Sequence, residues 1–373
     1  MMKILLAPDK FKGTMTAARV AEIEADAFRS VLPDAEIIQI PLADGGDGTV
    51  QTLTTALHGS FRKISVHDPL GRPIDAVYGI AGTTAVIEMA LASGMVLLNR
   101  EERDPLKTST YGTGELIRDA LRSGAKTLII GIGGSATVDG GTGMAEALGF
   151  RFFDRDGLKI TNLCGGNLSR IFHIDESEAE PLLKKAEIRI ASDVTNPLLG
   201  PEGAVAVFAP QKGATPAMMP VLEEGLRNLS EIVEKQGVTD TCSIPGDGAA
   251  GGLGFGLRVF CGAESESGAQ LAISMTGLEK HLADTDFVIT GEGCTDSQTE
   301  KGKLCSEILA VCRKHGVPCI LLSGAVKGVK PDRNGFAQIW SASSSEIPFE
   351  QIKLHAEEYL RAAALKAAER LSL

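Results

Sequence analysis

The 7 cysteines of this 373-residue chain include no CxxC pair, and their number is odd. Cys164, Cys242, Cys261, Cys294, Cys305, Cys312 and Cys319 therefore make a poor disulfide framework or zinc site, and they fit reduced thiols in a cytosol. No run of about 20 apolar residues is present to span a bilayer. The opening Met-Met-Lys-Ile-Leu-Leu-Ala-Pro-Asp has too short an apolar run for a signal peptide, so the expected location is cytoplasmic. No Lys/Arg-dense face offsets the net charge of −11, which argues against nucleic acid as a partner. The P-loop pattern G-x-x-x-x-G-K-[ST] is absent, and Ser135 sits in Gly-Gly-Ser-Ala-Thr, which lacks the last glycine of G-x-S-x-G. His58, His67, His173, His281, His315 and His355 show no metal spacing, so histidine is not expected to be a catalytic base. Internal repeats and low-complexity tracts are also missing.

What the chain has in excess is glycine, 43 of 373 residues, or roughly 12% against a usual ~7%. These glycines cluster in loops that also carry acids, which marks them as sites rather than linkers. The length exceeds one comfortable core and predicts two domains. Short apolar runs alternate with helical patterns, the signature of an α/β fold with a mostly parallel sheet. Ile4 to Ala7, Ile37 to Ile40, Leu128 to Ile132, Ile188 to Ile190, Phe287 to Ile289 and Ile320 to Leu322 read as strands. Residues 60–108 and 151–262 break the rhythm with hairpin signals at Pro69-Leu-Gly71 and Asp154-Arg-Asp-Gly157 and with alternation at Ala204 to Phe208. The expected architecture is a Rossmann-like, doubly wound parallel-sheet domain with an inserted, discontinuous mixed α/β second domain. Residues 1–60, 109–150 and 263–373 are assigned to the first, and 61–108 and 151–262 to the second. The active cleft is expected between them, at the carboxyl ends of the strands. Phe349 to Leu373 reads as an Ala-rich helix that packs on the sheet.

Six loops carry the chemistry. Ala7-Pro-Asp-Lys-Phe-Lys-Gly-Thr14 follows the first strand, and its Lys10 and Lys12 suit an anionic ligand. Pro41-Leu-Ala-Asp-Gly-Gly-Asp-Gly-Thr49 sets Asp44 and Asp47 among glycines, where they can meet Mg²⁺ or a hydroxyl; the plainer reading is a turn with an Asp cap. Gly131-Ile-Gly-Gly-Ser-Ala-Thr-Val-Asp-Gly-Gly141 leads from a strand into a helix, so its amides and hydroxyls can hold phosphate. It also satisfies G-x-G-x-x-A with Asp154 beyond, a dinucleotide fingerprint that leaves the other five loops unexplained. Ala191-Ser-Asp-Val-Thr-Asn-Pro-Leu-Leu-Gly200 offers Asp193 as base or metal ligand and Asn196 as support, with a local turn as the plain alternative; Pro210-Gln-Lys-Gly-Ala214 adds to the same wall. The fifth, Pro245-Gly-Asp-Gly-Ala-Ala-Gly-Gly-Leu-Gly-Phe-Gly256, holds six glycines in twelve residues and reads as close backbone approach to a ligand, or as a lid. The sixth runs from Val288 to Lys303, with Glu292 between Gly291 and Gly293 and with Asp296 and Lys303 beyond them ahead of a helix, and points to phosphoryl transfer.

Taken in order, these loops resemble the bacterial-type (type I) glycerate kinase family. The strings that carry the resemblance include Ala-Pro-Asp-x-Phe-Lys-Gly at 7–13, Ala-Asp-Gly-Gly-Asp-Gly-Thr at 43–49, Pro-Leu-Gly at 69–71 and Ile-Glu-Met-Ala at 87–90. Thr-Tyr-Gly-Thr-Gly-Glu-Leu-Ile at 110–117, Ile-Gly-Gly-Ser-Ala-Thr at 132–137 and Asp-Val-x-Asn-Pro-Leu at 193–198 continue it. Pro-Gln-Lys-Gly-Ala at 210–214, Gly-Ala-Ala-Gly-Gly-Leu-Gly at 248–254 and Thr-Gly-Glu-Gly at 290–293, with Asp296, Gln298 and Thr299, complete it. Two positions depart: Asp139 follows Val138 where Asn-Asp is expected, and Asp247 replaces a small residue.

The resemblance implies ATP- and Mg²⁺-dependent phosphorylation of D-glycerate, at the 2-hydroxyl to give 2-phosphoglycerate. From loop position, Asp193 or Asp296 is expected as base with the other near the metal, and Asp44 and Asp47 face metal or hydroxyl. Lys10, Lys12, Asn196 and Lys303 are expected on substrate or phosphate. Gly133, Gly134, Ser135 and Thr137, with Gly251, Gly252 and Gly254, are expected to cradle phosphates. A kinase for another small hydroxy acid, one forming 3-phosphoglycerate, an NAD-dependent hydroxy-acid oxidoreductase and a non-catalytic two-lobed binding protein are the alternatives. The residues carry Mg-nucleotide-dependent transfer to a small anion; the resemblance carries the substrate.

Overall fold

A computed structural model describes residues 1–237, 243–295, 304–327, 335–344 and 347–372. The chain divides into two units, one of residues 1–44, 51–57 and 267–373, the other of residues 45–50 and 58–266. The first unit is Rossmann-like. Its five strands are all parallel, in the order Gln338–Ser341, Cys319–Ser323, Phe287–Thr290, Lys3–Leu6, Glu36–Gln39. Ile4, Leu6, Ile289, Ile320 and Leu322 join one apolar cluster. Because side chains alternate along a strand, Leu5, Val288 and Leu321 point to the opposite face. The cluster is closed by the helices Ala17–Val31 and Phe349–Leu371. Val20, Ile23 and Ala27 on the first meet the Leu360, Ala363, Ala364, Ala367 stripe of the second, the helical spacing expected of an Ala-rich packing helix. Arg19 pairs with Glu357 across the seam. Helices Gly268–Thr276 and Leu304–His315 pack together elsewhere in the unit.

Strand order in this sheet runs outward in both directions from the pair Lys3–Leu6 and Phe287–Thr290. The carboxyl ends of those two strands are a topological switch point, where a doubly wound sheet leaves room for a ligand. The first and sixth loops both begin there.

The second unit is built on a mixed six-stranded sheet in the order Glu264–Glu266, Glu187–Ala191, Thr127–Gly131, Thr84–Glu88, Pro73–Ala81, Ser60–His67. The first four strands are parallel and the last two antiparallel. The predicted turn at Pro69 to Gly71 joins the antiparallel pair, with Gly71 N–H bonded to Asp68 C=O at 3.0 Å. Asp154 to Gly157 turns between Arg151–Phe153 and Lys159–Ile160 of a small three-stranded sheet.

Two expectations are corrected. Residues 109–150 belong to the second unit, not to the Rossmann-like one. Strand Thr127–Gly131 pairs in register with Thr84–Glu88 and Glu187–Ala191. Its apolar run, glycine turn and following helix look locally like those of the other sheet, and only pairing distinguishes them. The alternation at Ala204 to Phe208 is an α-helix, with Ala204 and Val205 buried, because five residues are too few for periodicity to separate strand from helix.

Candidate active site

In the Rossmann-like unit the first and sixth loops run side by side past the strand ends. Ala7 N–H donates to Ile289 C=O at 2.7 Å and Asp9 N–H to Gly291 C=O at 2.8 Å. The closeness demands glycine: a Cβ at Gly291 would stand 1.7 Å from the Leu322 carbonyl oxygen. Asp9, 7% exposed, accepts from the Lys10 backbone N–H at 2.7 Å. Lys10 Nζ reaches Asp44 Oδ1 at 3.0 Å and Asp9 Oδ1 at 3.9 Å. Burial pushes the Asp9 carboxyl up to about 7, with the Asp44 and Glu292 charges adding to the rise and Lys10 opposing it. Glu292 is held from both ends. Its Oε1 accepts from Thr295 Oγ1 at 3.2 Å, and its N–H donates to Ser323 Oγ at 3.3 Å. The switch point thus gathers three carboxylates and a lysine. Lys12 is exposed on the same loop, and Asp296 and Lys303 lie outside the described residues.

In the second unit the parallel strands end at Glu88, Gly131 and Ala191, and residues 45–50 lie over those ends. A Cβ at Gly45 would come 2.4 Å from Ala191 C=O, and one at Gly131 2.5 Å from Gly45 C=O. Glu88, 5% exposed, receives Gly48 N–H at 3.1 Å and Val50 N–H at 3.4 Å, so it anchors the start of helix Thr49–Ala56. Asp47 stays exposed, its Oδ1 3.2 Å from the Cβ position of Gly134. Asp193 is exposed just beyond strand Glu187–Ala191. Asn196 instead shapes its own loop, with Nδ2 donating to Glu202 C=O at 2.8 Å and its C=O accepting Gly248 N–H at 2.9 Å.

Under the third loop lies Lys212, whose Nζ donates to Ser135 Oγ at 2.6 Å and Thr137 C=O at 2.7 Å. Burial pulls this lysine down to about 7, with Asp139 opposing. The Asp139 carboxylate accepts from Thr110 N–H (2.8 Å), Thr110 Oγ1 (2.7 Å), Gly141 N–H (3.2 Å) and Gly143 N–H (3.3 Å). It locks the loop to the following helix, and burial raises its carboxyl against those bonds.

The expected cradle is therefore only partly present. Gly133 and Gly134 reach the surface, Ser135 is just beneath it, and Thr137 is buried with its Oγ1 lacking a partner. Gly251, Gly252 and Gly254 are buried against neighbouring backbone. Their Cβ positions fall 1.9 Å from Thr137 C=O, 2.9 Å from Gly140 Cα and 2.3 Å from Gly246 C=O, so these glycines admit the backbones of the third loop and of their own turn. The segment read as a cradle or lid forms the kinked start of helix Ala249–Cys261, with Asp247 paired to Arg258. The dinucleotide fingerprint also has a structural cause: Gly131 packs on Gly45, Ala136 is buried, and Asp154 accepts from Asp156 and Leu158 N–H in its hairpin. Asp44 and Asp47, read as one pair, fall in different units.

Sequence reasoning passed over Asp9, Glu88 and Lys212 as site residues. Each lies inside a quoted motif, yet burial gives them their roles, and burial left no local signal. No group of three or more His, Cys, Asp or Glu that could hold a metal occurs among the described residues.

A crystal structure assigned as glycerate kinase 2 from Salmonella typhimurium LT2 superposes with a TM-score of 0.90 at 41% identity, covering 100% of this chain and 98% of that one. The sheet, its switch-point cluster and this likeness define a kinase of the α/β class. The Escherichia coli (strain K12) glycerate 2-kinase is 46% identical over 327 residues, 87% of this chain and 86% of its own length. The Bacillus subtilis (strain 168) glycerate kinase is 42% identical over 376 residues, 100% and 98% of the two chains. The model of the Glycerate kinase family matches residues 4–372, and the chain belongs to that family.

Proposed function

We propose that this kinase transfers the γ-phosphoryl group of ATP to the 2-hydroxyl of D-glycerate, giving 2-phosphoglycerate and ADP. The observation that carries the reading is the cluster of Asp9, Lys10, Asp44 and Glu292 at the switch point. Phosphoryl transfer needs little covalent help from the protein and much positioning and charge stabilisation. Lys10, held by Asp44, is placed to meet an anionic oxygen of substrate or phosphate. Asp193 or Asp296 takes the proton of the attacking hydroxyl. Lys12 and Lys303 add cationic contacts to the anionic substrates.

Mg²⁺ fits the donors of this cluster. A buried carboxyl raised to about 7 beside two further acids is an oxygen-rich, negative site. One or two carboxylates plus substrate phosphates suffice for this ion. Asp9 and Asp44 would hold it, with Asp296 and Asp47 as further candidates. When bound, it would neutralise phosphate charge. The E. coli relative's name specifies a 2-kinase, which favours the 2-hydroxyl here. A cytosolic location is part of the same reading, on the thiol pattern of the sequence.

The test mixes the protein with MgATP and D-glycerate, follows ADP, and offers the product directly to enolase. ADP release with immediate enolase turnover is expected. ADP without enolase turnover would assign 3-phosphoglycerate, and no ADP would remove D-glycerate as substrate.

A further inference from the structure

The third loop holds unused donors. Beyond strand Thr127–Gly131 the backbone turns through Gly134, whose φ of 76° is left-handed. Gly134 C=O accepts from Met95 N–H at 2.9 Å, and Ala136 N–H donates to Ser93 C=O at 3.0 Å. Among the described residues the N–H groups of Gly133, Gly134 and Ser135 donate to no acceptor. Successive free N–H groups around a left-handed residue make a concavity that favours an anion.

A cation lies directly beneath it. Lys212 is 2% exposed and no carboxylate among the described residues is ion-paired with it, while Ser135, which accepts from it, is 5% exposed. A serine hydroxyl carries one proton. With its lone pair engaged by the ammonium, Ser135 is left to donate that proton, and the charge behind it strengthens the donation.

We propose that Gly133, Gly134 and Ser135 form an oxyanion pocket for a phosphoryl or carboxylate group of the substrates, with Lys212 as the buried positioning residue that holds the turn and charges it. The identity of the anion rests on the kinase reading above; the pocket itself does not.

The charged groups around this turn set its pH behaviour. Asp139 acts on Lys212 through space. Asp47 stands at the rim and repels a bare anion. Arg103 packs against Gly213 with its Nε buried and unpartnered, and Asp104 pairs with Lys107. An anion in the pocket favours the protonated lysine, which in the free protein titrates near 7. Binding therefore takes up a proton above that pH, and affinity falls by up to about tenfold per pH unit.

The experiment measures KM for D-glycerate and for MgATP separately, from pH 6.5 to 8.5, in wild type, Lys212→Met and Ser135→Ala. The substrate whose KM climbs with pH in wild type supplies the anion. Lys212→Met should raise that KM about tenfold or more at pH 6.5 and abolish its pH slope. Ser135→Ala, which deletes one oxygen and keeps the fold, should raise it several-fold and keep the slope. A merely structural lysine would lower the melting temperature without touching the slope. Flat KM values for both substrates in wild type, or an unchanged KM in Ser135→Ala, would overturn the pocket. A wild type that fails to turn over D-glycerate sinks the functional reading alone. Thermal protection by MgADP and inorganic phosphate, measured over the same pH range in the three proteins, then decides the pocket: protection that weakens above pH 7 in wild type but not in Lys212→Met supports it, and equal protection in all three overturns it.

Discussion

Asp9 and Lys212 stand in different units and were driven toward neutrality from opposite sides. Burial lifts the carboxyl of one and depresses the ammonium of the other until both titrate near 7. Asp9 lies in the loop after strand Lys3–Leu6, and Lys212 ends the short turn Pro210–Lys212 beneath the loop that follows strand Thr127–Gly131; at neither does a counter-charge outweigh burial. The first unit gathers excess negative charge around one lysine, and the second buries a lysine under unused amides. A site for a cation-bound phosphate and a site for an oxyanion call for these two kinds of preparation. Neither belongs in a core built for stability alone, since a buried, poorly compensated charge is destabilising.

Which unit carries the proton acceptor is the sharpest way to break this comparison. Asp193→Asn and Asp296→Asn should differ, with the true base losing ~10²–10⁴ in turnover while melting temperature holds. Near-normal turnover in both would move the base elsewhere. Next, Lys10→Met should cost about 10²-fold in kcat, because it removes the cation from the acidic cluster. Steady-state kinetics with unchanged circular dichroism would check it.

Stability against pH reads the two buried groups directly. Between about pH 4 and 7 folded Asp9 keeps a proton that the unfolded chain has lost, so it makes stability fall as pH rises through that window. Folded Lys212 lacks a proton that the unfolded chain holds between about 7 and 10.5, so it makes stability rise there. Asp9→Asn and Lys212→Met should each remove their own limb, on the order of a few kcal/mol, in urea melts across pH. A variant that removes the other limb would refute the assignment. A control lies at Glu24, fully buried on helix Ala17–Val31 with both carboxyl oxygens unpartnered and burial raising its carboxyl. Glu24→Met should stabilise the protein by about 1–3 kcal/mol at neutral pH without altering turnover. The smallest effect is expected at exposed Lys12, where Lys12→Ala should shift substrate KM only a few-fold.

Much of this was legible in the residues. Ile4, Ile37, Leu128, Ile188, Phe287 and Ile320 all announce strands through short apolar runs, and each falls in one. The loops after them were equally plain, because glycine beside acid and lysine is rare in packed cores. The density of glycine was less transparent. At Gly251 and Gly252 it looks like a phosphate cradle, but it serves backbone-to-backbone packing, and the same residue type answers both demands.

Sequence alone determined the α/β class, through strand periodicity, and the family, through the order of its loop motifs, because both are written in short local stretches of chain. Tertiary structure decided that strand Thr127–Gly131 serves the mixed sheet, that Glu88 anchors Gly48 and Val50, and that Asp9 and Lys212 lie buried. Strand pairing, close backbone approach and desolvation all depend on residues far away in the chain. The charge states that matter most to a phosphotransferase are set by that desolvation.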